Sequence, residues 1–94
     1  NDLHRLGLSS FNFYPNPFAE TANLSFVVSG SLPKMIEINL LDQSGKKIRN
    51  IMKSLLSPGD YTEKMHVSAL ASGVYFVVIS SDGQNTTLPI VISK

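Results

Sequence analysis

Apolar and polar residues alternate along most of this 94-residue sequence, and residues typical of turns recur about every ten positions. A period of two predicts half-buried strands, and no segment shows a convincing helical period. About seven short strands separated by turns are typical of an all-β, antiparallel two-sheet sandwich of the immunoglobulin or fibronectin type. The predicted strands cover 11–14, 23–28, 35–41, 46–56, 61–67, 74–80 and 86–93.

Two of these strands depart from simple alternation. Ile48, Ile51 and Leu55 break the period of two in the fourth strand, which indicates a β-bulge. The sixth strand, 74–80, is apolar on both faces, which is typical of a central strand. The hairpin turn between the third and fourth strands is predicted to end on Gly45, because glycine readily adopts the positive φ that such turns require.

Two residues conflict with the positions they occupy. Pro89 has no backbone N–H, so the closing strand is predicted to lie at a sheet edge or to contain a bulge there. Glu63 falls on the same face of its strand as the apolar Tyr61 and Met65. We therefore expect Glu63 to lie near an edge, where its carboxylate reaches water.

Composition excludes several classes of function. A hydrophobic fraction of 43% with 16% charged residues indicates a folded chain. The absence of cysteine excludes disulfides, thiolate zinc sites and cysteine nucleophiles. Because the net charge is only +1, the basic cluster of Lys46, Lys47, Arg49 and Lys53 is expected to be a solvated strand edge and not a nucleic-acid footprint. No apolar run approaches the ~18 residues of a membrane-spanning helix.

The sequence divides at residue 10. Residues 1–10 mix charged, small and apolar side chains without a period, so we expect a linker there, followed by one domain over 11–94. The chain does not begin with Met and carries no signal peptide. We expect it to be a piece of a longer exported protein, with a further domain ahead of the linker.

Side chains that could perform chemistry are sparse. His4 and His66 are the only histidines, and neither has a partner that the sequence suggests. No two carboxylates show the pairing that a glycosidase needs. The segment 82–85 could offer two or three oxygen ligands to calcium, although a plain turn is the simpler interpretation. We expect no enzymatic activity, no catalytic or metal-binding residue and no cofactor.

Short motifs stand in order along the chain. The first is a corner in which two prolines force an extended, kinked backbone. Two glycine-containing turns, the start of the sixth strand and a short basic ending follow. The motif residues are Tyr14, Pro15, Asn16, Pro17, Phe18, Leu40, Leu41, Asp42, Gly45, Lys46, Leu56, Gly59, Tyr61, Leu70, Ser72, Gly73, Val74, Tyr75, Phe76 and 91–94. In this order they resemble the type IX secretion C-terminal sorting domains, the Por secretion tail family. Glu63 and Pro89 depart from its usual pattern.

The resemblance implies a secretion signal. Such a domain directs an attached N-terminal cargo protein through the outer-membrane secretion machinery to the cell surface or the medium. A sortase-like peptidase commonly removes it, with release or attachment to lipopolysaccharide, and the cleavage position would then lie in or before 1–10. Because edge strands accept partner strands, we hypothesise that the closing strand is recognised. The residues concerned are Leu88, Ile90, Val91, Ile92, Ser93 and Lys94.

Two alternatives stay open at this point. The corner from Tyr14 to Phe18 is either a structural element that seats its two aromatic rings or a docking surface. The whole domain could instead be a fibronectin- or immunoglobulin-like accessory module that binds polysaccharide or spaces an attached extracellular enzyme. A polysaccharide platform needs exposed aromatic rings, whereas most rings here are expected in the core. The expected core rings are Phe11, Phe13, Phe26 and Tyr61.

Overall fold

Seven strands form two antiparallel sheets in the computed structural model, which describes residues 7–14 and 20–93. The strands are β1 (Leu8–Tyr14), β2 (Thr21–Val28), β3 (Lys34–Leu41), β4 (Lys47–Leu56), β5 (Gly59–His66), β6 (Gly73–Ser81) and β7 (Gln84–Ile92). One sheet has the order β1-β2-β5 and the other the order β4-β3-β6-β7. Over the described residues the chain contains no helix. The predicted all-β two-sheet sandwich and its seven strands are confirmed, with ends that differ by a few residues.

The core lies between the two sheets and is built from alternate residues of each strand. The burial pattern of β2 alternates strictly, and β3, β6 and β7 alternate over most of their lengths. Each strand therefore turns one apolar face inward, as the period of two predicts. The largest fully buried side chains are Phe26, Leu8, Leu24, Ile36, Ile38, Leu40, Ile79, Ile90, Ile92 and Val28.

A row of aromatic rings crosses the three-stranded sheet. Phe26 stacks on Phe11 at a centroid distance of 5.6 Å and on Tyr61 at the same distance. Phe13 meets Phe11 edge to face at 5.0 Å. Phe11 and Phe26 are buried, and Phe13 and Tyr61 pack against the core, which confirms all four rings as core residues. The row follows from the register, because Phe11, Phe26 and Tyr61 lie directly opposite one another.

Strand β4 contains two irregularities where it pairs with β3. Ile51 is left without a partner at the first, and Ile48 at the second. An extra residue of this kind reverses the alternation of all residues beyond it, so the broken period of β4 is explained and the predicted bulge is confirmed. The flanking register pairs are Ile38–Met52 and Asn39–Asn50, then Leu40–Arg49 and Leu41–Lys47.

The positions of the remaining strands agree with the sequence predictions. β6 lies between β3 and β7, which confirms it as a central strand. β7 ends its sheet and keeps an unbroken register with β6 past Pro89. Of the two predictions for the closing strand, the edge position is therefore confirmed, and the strand has no bulge at Pro89. β5 ends the other sheet, and the half-buried Glu63 lies on it, as expected.

The turn between β6 and β7 is shorter than the sequence suggested. Only Asp82 and Gly83 lie outside the ladder, with φ of 51° and 78°, and Ser81 already pairs with Gln84. Two positive φ values in a two-residue hairpin define a type I′ turn, whose twist matches that of the flanking strands. Residues 84 and 85, which the calcium alternative needed, belong to β7.

Candidate functional site

The strands run between two opposite ends of the sandwich. The chain enters at the end that we call proximal, where Gly7 lies beside the 29–33 loop. At the distal end β1 stops at Tyr14 and β7 stops at Ile92. A nine-residue strand such as β7 spans about 30 Å, which is the approximate distance between the two ends.

Gly7 fixes the point where the chain enters the domain. Its carbonyl accepts hydrogen bonds from the backbone N–H of Ser29 at 2.8 Å and from the Ser29 hydroxyl at 3.0 Å. Its φ is +78°, and a Cβ there would lie 2.0 Å from the Cε of Lys34. Both observations favour glycine at this position. Sequence reasoning missed this contact, since nothing local to Gly7 indicates that Ser29 and Lys34 approach it.

The β3–β4 turn at the distal end is held by one carboxylate. Oδ1 of Asp42 accepts bonds from the Ser44 N–H at 2.9 Å, the Ser44 hydroxyl at 2.7 Å and the Lys46 N–H at 3.0 Å. The Ser44 hydroxyl, followed by the Lys46 N–H, holds the pKa of Asp42 below its ordinary value. Gly45 has a φ of +89°, which confirms the predicted positive φ. Asp42, Gly45 and Lys46 thus build the turn.

A buried tyrosine secures the β5–β6 connection. The Tyr75 hydroxyl donates a hydrogen bond to the carbonyl of Ala71 at 2.7 Å, in the manner of the tyrosine corner of immunoglobulin-like sandwiches. The Leu70 N–H donates to the carbonyl of Val67 at 2.9 Å, which makes a single turn and no helix. Gly73 opens β6 with a φ of 155°. Tyr75 and Gly73 therefore shape the corner where β6 begins.

An open groove separates these two motifs at the distal end. Its volume is about 320 Å³, and it is polar on one side and mixed on the other. The residues around it are Asp42, Gln43, Ser44, Ser72, Gly73, Val74 and Tyr75. Over 7–14 and 20–93 the structure brings no three metal-ligating side chains together. The described part of the distal end therefore offers a shaped surface without a metal-ligand cluster.

The remaining turn motif lies at the other end of the molecule. Gly59 begins β5 opposite Val28, next to the point where the chain enters. The Tyr61 hydroxyl donates to the carbonyl of Ser57 and closes the connection from β4. Gly59 and Tyr61 are thus proximal, and the structure does not bring them together with the distal motifs.

The closing strand divides its hypothesised recognition residues between two faces. Ile90 and Ile92 are each 1% exposed, and the half-buried Leu88 packs against the core. Val91, in contrast, is 42% exposed, and Ser93 is exposed. Lys94 lies outside the described residues. Of the hypothesised recognition residues within 88–93, Val91 and Ser93 are the ones whose side chains are exposed to a partner.

The corner motif is described only at its first residue. Tyr14 is 47% exposed, so its ring does not belong to the buried core. Phe11 and Phe13 face the core, and Tyr14, the next residue along β1, therefore points to the opposite face. Pro15, Asn16, Pro17 and Phe18 lie outside the described residues, so the choice between corner and docking surface is untested.

The basic cluster and the histidine lie along one side of the sandwich. Lys46, Lys47 and Lys53 are exposed on and beside the edge strand β4, as expected of a solvated edge. Arg49 reaches across to the other sheet and donates to the carbonyl of His66. The His66 side chain is exposed on the outward face, and His4 lies outside the described residues.

Fold and site together define a small β-sandwich domain whose motif residues build turns and corners. The model of the secretion system C-terminal sorting domain family matches residues 12–93, and the chain belongs to that family. No curated protein matches the chain. Membership makes the chain a C-terminal sorting signal for type IX secretion, and this family is not an enzyme family.

The family also indicates what surrounds the domain. A sorting domain implies a cargo attached on its N-terminal side, a secretion machinery that reads the signal, and transport to the cell surface or beyond. Over 7–14 and 20–93, the chain forms no helix that could cross a membrane.

Proposed function

We propose that the machinery reads the distal end of the sandwich, with the exposed part of the closing strand as the contact. The observation that supports this proposal is the separation of the two ends. The chain enters at Gly7, and β7 finishes at the opposite end beside Gly73. A cargo joined ahead of Gly7 is therefore attached on the side of the domain opposite the proposed contact. This arrangement would allow the same signal domain to serve different cargo proteins.

The contact is proposed to be made by the outward side chains and backbone of β7. Val91 and Ser93 project to solvent there, and an edge strand can add a strand from a partner through its backbone. Ile90 and Ile92 act differently, because they fill the core and hold the strand in place. Deleting residues 88–94 would thus remove core side chains together with the signal and would not separate the two roles.

Single substitutions on the exposed face of β7 test the proposal. Val91→Asp in the cargo fusion places a charge at the distal contact, and Asn85→Asp places one on the same face at the proximal end. Cargo in the medium and on the cell surface is measured against cargo kept in the periplasm. We expect Val91→Asp to lower export at least about tenfold, a loss of about 1.4 kcal/mol in recognition, and Asn85→Asp to leave it unchanged.

The melting temperature of each purified variant separates recognition from folding. Both residues are exposed, so both variants are expected to melt within a few degrees of the wild-type chain. Wild-type export of a folded Val91→Asp chain would overturn the proposal. Equal export defects in both variants would show that charge anywhere on β7 is harmful and would overturn the distal location.

We further propose that a sortase-like peptidase cuts ahead of Gly7, after which the cargo is released or attached to lipopolysaccharide. A peptidase needs several residues of accessible, extended backbone. Gly7 is bonded to Ser29, and Leu8 is fully buried in β1, so 7–10 do not offer such a substrate. The sequence placed the cleavage position in or before 1–10, and the proposal restricts it to the residues before Gly7.

Mass spectrometry of the released domain tests the cleavage window. We expect the smallest stable C-terminal fragment to retain Gly7 and Leu8. A fragment that begins at Ser10 or later would contradict the proposed window, and an uncleaved exported chain would contradict removal by a peptidase.

A further inference from the structure

Each of the four edge strands in the described sandwich carries a feature that opposes pairing with another strand. β1 contains a register shift between Leu8 and Ser10. β4 contains two bulges and exposes Lys47 and Lys53. β5 turns Glu63 toward the core side. Bulges, lysines and inward charges are known means of keeping sheet edges from associating.

β7 lacks all of these features. It has no charged residue from Gln84 to Ile92, and its register with β6 is unbroken over all nine residues. Its outward face also presents apolar surface, since Val91 is 42% exposed. A long, uncharged and regular edge is the kind that pairs with a second copy of itself. The one residue of β7 that opposes pairing with another strand is Pro89.

The hairpin geometry determines where the missing N–H of Pro89 points. In a two-residue hairpin the flanking residues, Ser81 and Gln84, exchange both backbone hydrogen bonds. Every second residue of β7 after Gln84 therefore bonds to β6, as Ile90 does opposite Tyr75. The intervening residues turn their N–H and C=O to the open edge, where no other described strand pairs with them. These residues are Asn85, Thr87, Pro89 and Val91.

Two β7 strands that met edge to edge about a two-fold axis would pair through these outward residues. The register with the longest overlap places Pro89 of each copy opposite Thr87 of the other copy, which gives two such pairs. Both central pairs would then lose a donor, and the proline ring would occupy the space of the partner backbone. Because Pro89 lies near the middle of the exposed ladder, every long overlap includes it.

We infer that Pro89 keeps β7 from pairing with the β7 of a second copy of this chain. The outward side chains of β7 thereby stay exposed on a monomer. The availability to the secretion machinery rests on the proposed function, whereas the block on self-pairing does not. The inference explains why proline occupies a strand position where any β-forming residue would add a backbone donor.

Replacing Pro89 in the 94-residue chain tests the inference. Pro89→Thr and Pro89→Val both restore the donor and favour strand conformation, so both are expected to fold. Analytical ultracentrifugation across a concentration series should show a dimer for both, with a dissociation constant at least about tenfold below that of the wild-type chain. Pro58→Thr, which changes an exposed loop proline, is the matched control and should match the wild type.

Hydrogen exchange identifies the surface that associates. In the dimer the amides of Thr87 and Val91 should become protected, and adding Val91→Lys to Pro89→Thr should restore the monomer. Folded Pro89→Thr and Pro89→Val chains that stay monomeric at all concentrations would overturn the inference. So would a dimer in which those two amides exchange as fast as in the monomer. Export of the same variants reports on the proposed function separately.

Discussion

The Tyr75 hydroxyl lies 2.7 Å from the carbonyl oxygen of Ala71, four residues earlier in the chain. This bond joins the start of the central strand β6 to the connection that precedes it. Tyr75 is buried beside the core, so its ring and its hydroxyl act on different parts of the fold. The ring fills space between the sheets, and the hydroxyl fixes the corner at the distal end.

Tyr75→Phe should lower the free energy of unfolding by about 1 kcal/mol, because it removes one partly buried hydrogen bond and keeps the ring. In a domain of this size, that corresponds to a fall in melting temperature of about 4–8 °C. Urea denaturation followed by circular dichroism measures the change.

Tyr61→Phe is the matched control for this prediction. The Tyr61 hydroxyl also bonds a carbonyl four residues away, but that bond is exposed and water can replace it. We expect a loss below about 0.5 kcal/mol. A Tyr61→Phe effect equal to that of Tyr75→Phe would contradict the special role of the corner.

Gly45→Ala should destabilise the domain by about 1–2 kcal/mol. The cause is backbone strain alone, because φ is +89° and no atom lies within 4 Å of a Cβ placed there. Gly45→Asn should cost less, since asparagine tolerates positive φ better than alanine does. Thermal melts of both variants check the order, and an asparagine variant less stable than the alanine variant would contradict the explanation.

The aromatic row predicts a measurable coupling between Phe11 and Phe26. Their rings stack at 5.6 Å, so a double-mutant cycle with leucine at both positions should give a coupling energy of about 0.5–1.5 kcal/mol. The cycle between Phe13 and Tyr61, at opposite ends of the row, is the control and should give a coupling near zero. Equal couplings in the two cycles would show that general core loosening, and not ring contact, sets the energy.

Most of the fold could be predicted from two local properties of the sequence. These are the alternation of apolar and polar residues, and the positions of residues that lack a backbone donor or carry a charge. The broken period at Ile48 and Ile51 predicted the bulges, because each extra residue shifts side chains to the other face. The missing N–H of Pro89 and the charge of Glu63 both predicted edge strands. Such predictions succeed because the constraint lies in the residue itself or in its nearest neighbours along the chain.

Contacts between distant residues could not be predicted in the same way. The packing of Lys34 across Gly7 and the bond from Arg49 to the His66 carbonyl depend on which strands become neighbours. The distal grouping of motifs likewise emerges only once the strands are placed.

The lowered pKa of Asp42 predicts how the stability of the turn depends on pH. The Ser44 hydroxyl and the Lys46 N–H lower the pKa of Asp42 below its ordinary value of 3.8, so the unfolded chain takes up a proton before the folded chain does. The stabilisation is therefore complete above the ordinary pKa. It is lost as the pH falls through the lowered pKa of the folded state.

Asp42→Asn should accordingly be less stable than the wild-type chain at about pH 7, and this difference should shrink as the pH falls through the lowered pKa of Asp42 and the carboxyl takes up a proton. Ser44→Ala removes the largest cause of the lowered pKa and keeps the backbone donors, so it should reduce the pH dependence without abolishing it. Urea denaturation at a series of pH values measures the differences, and a carbon-13 titration of the Asp42 carboxyl gives its pKa directly. A stability gap between wild type and Asp42→Asn that stays constant over this range would show that the turn depends on the shape of the side chain and not on its charge.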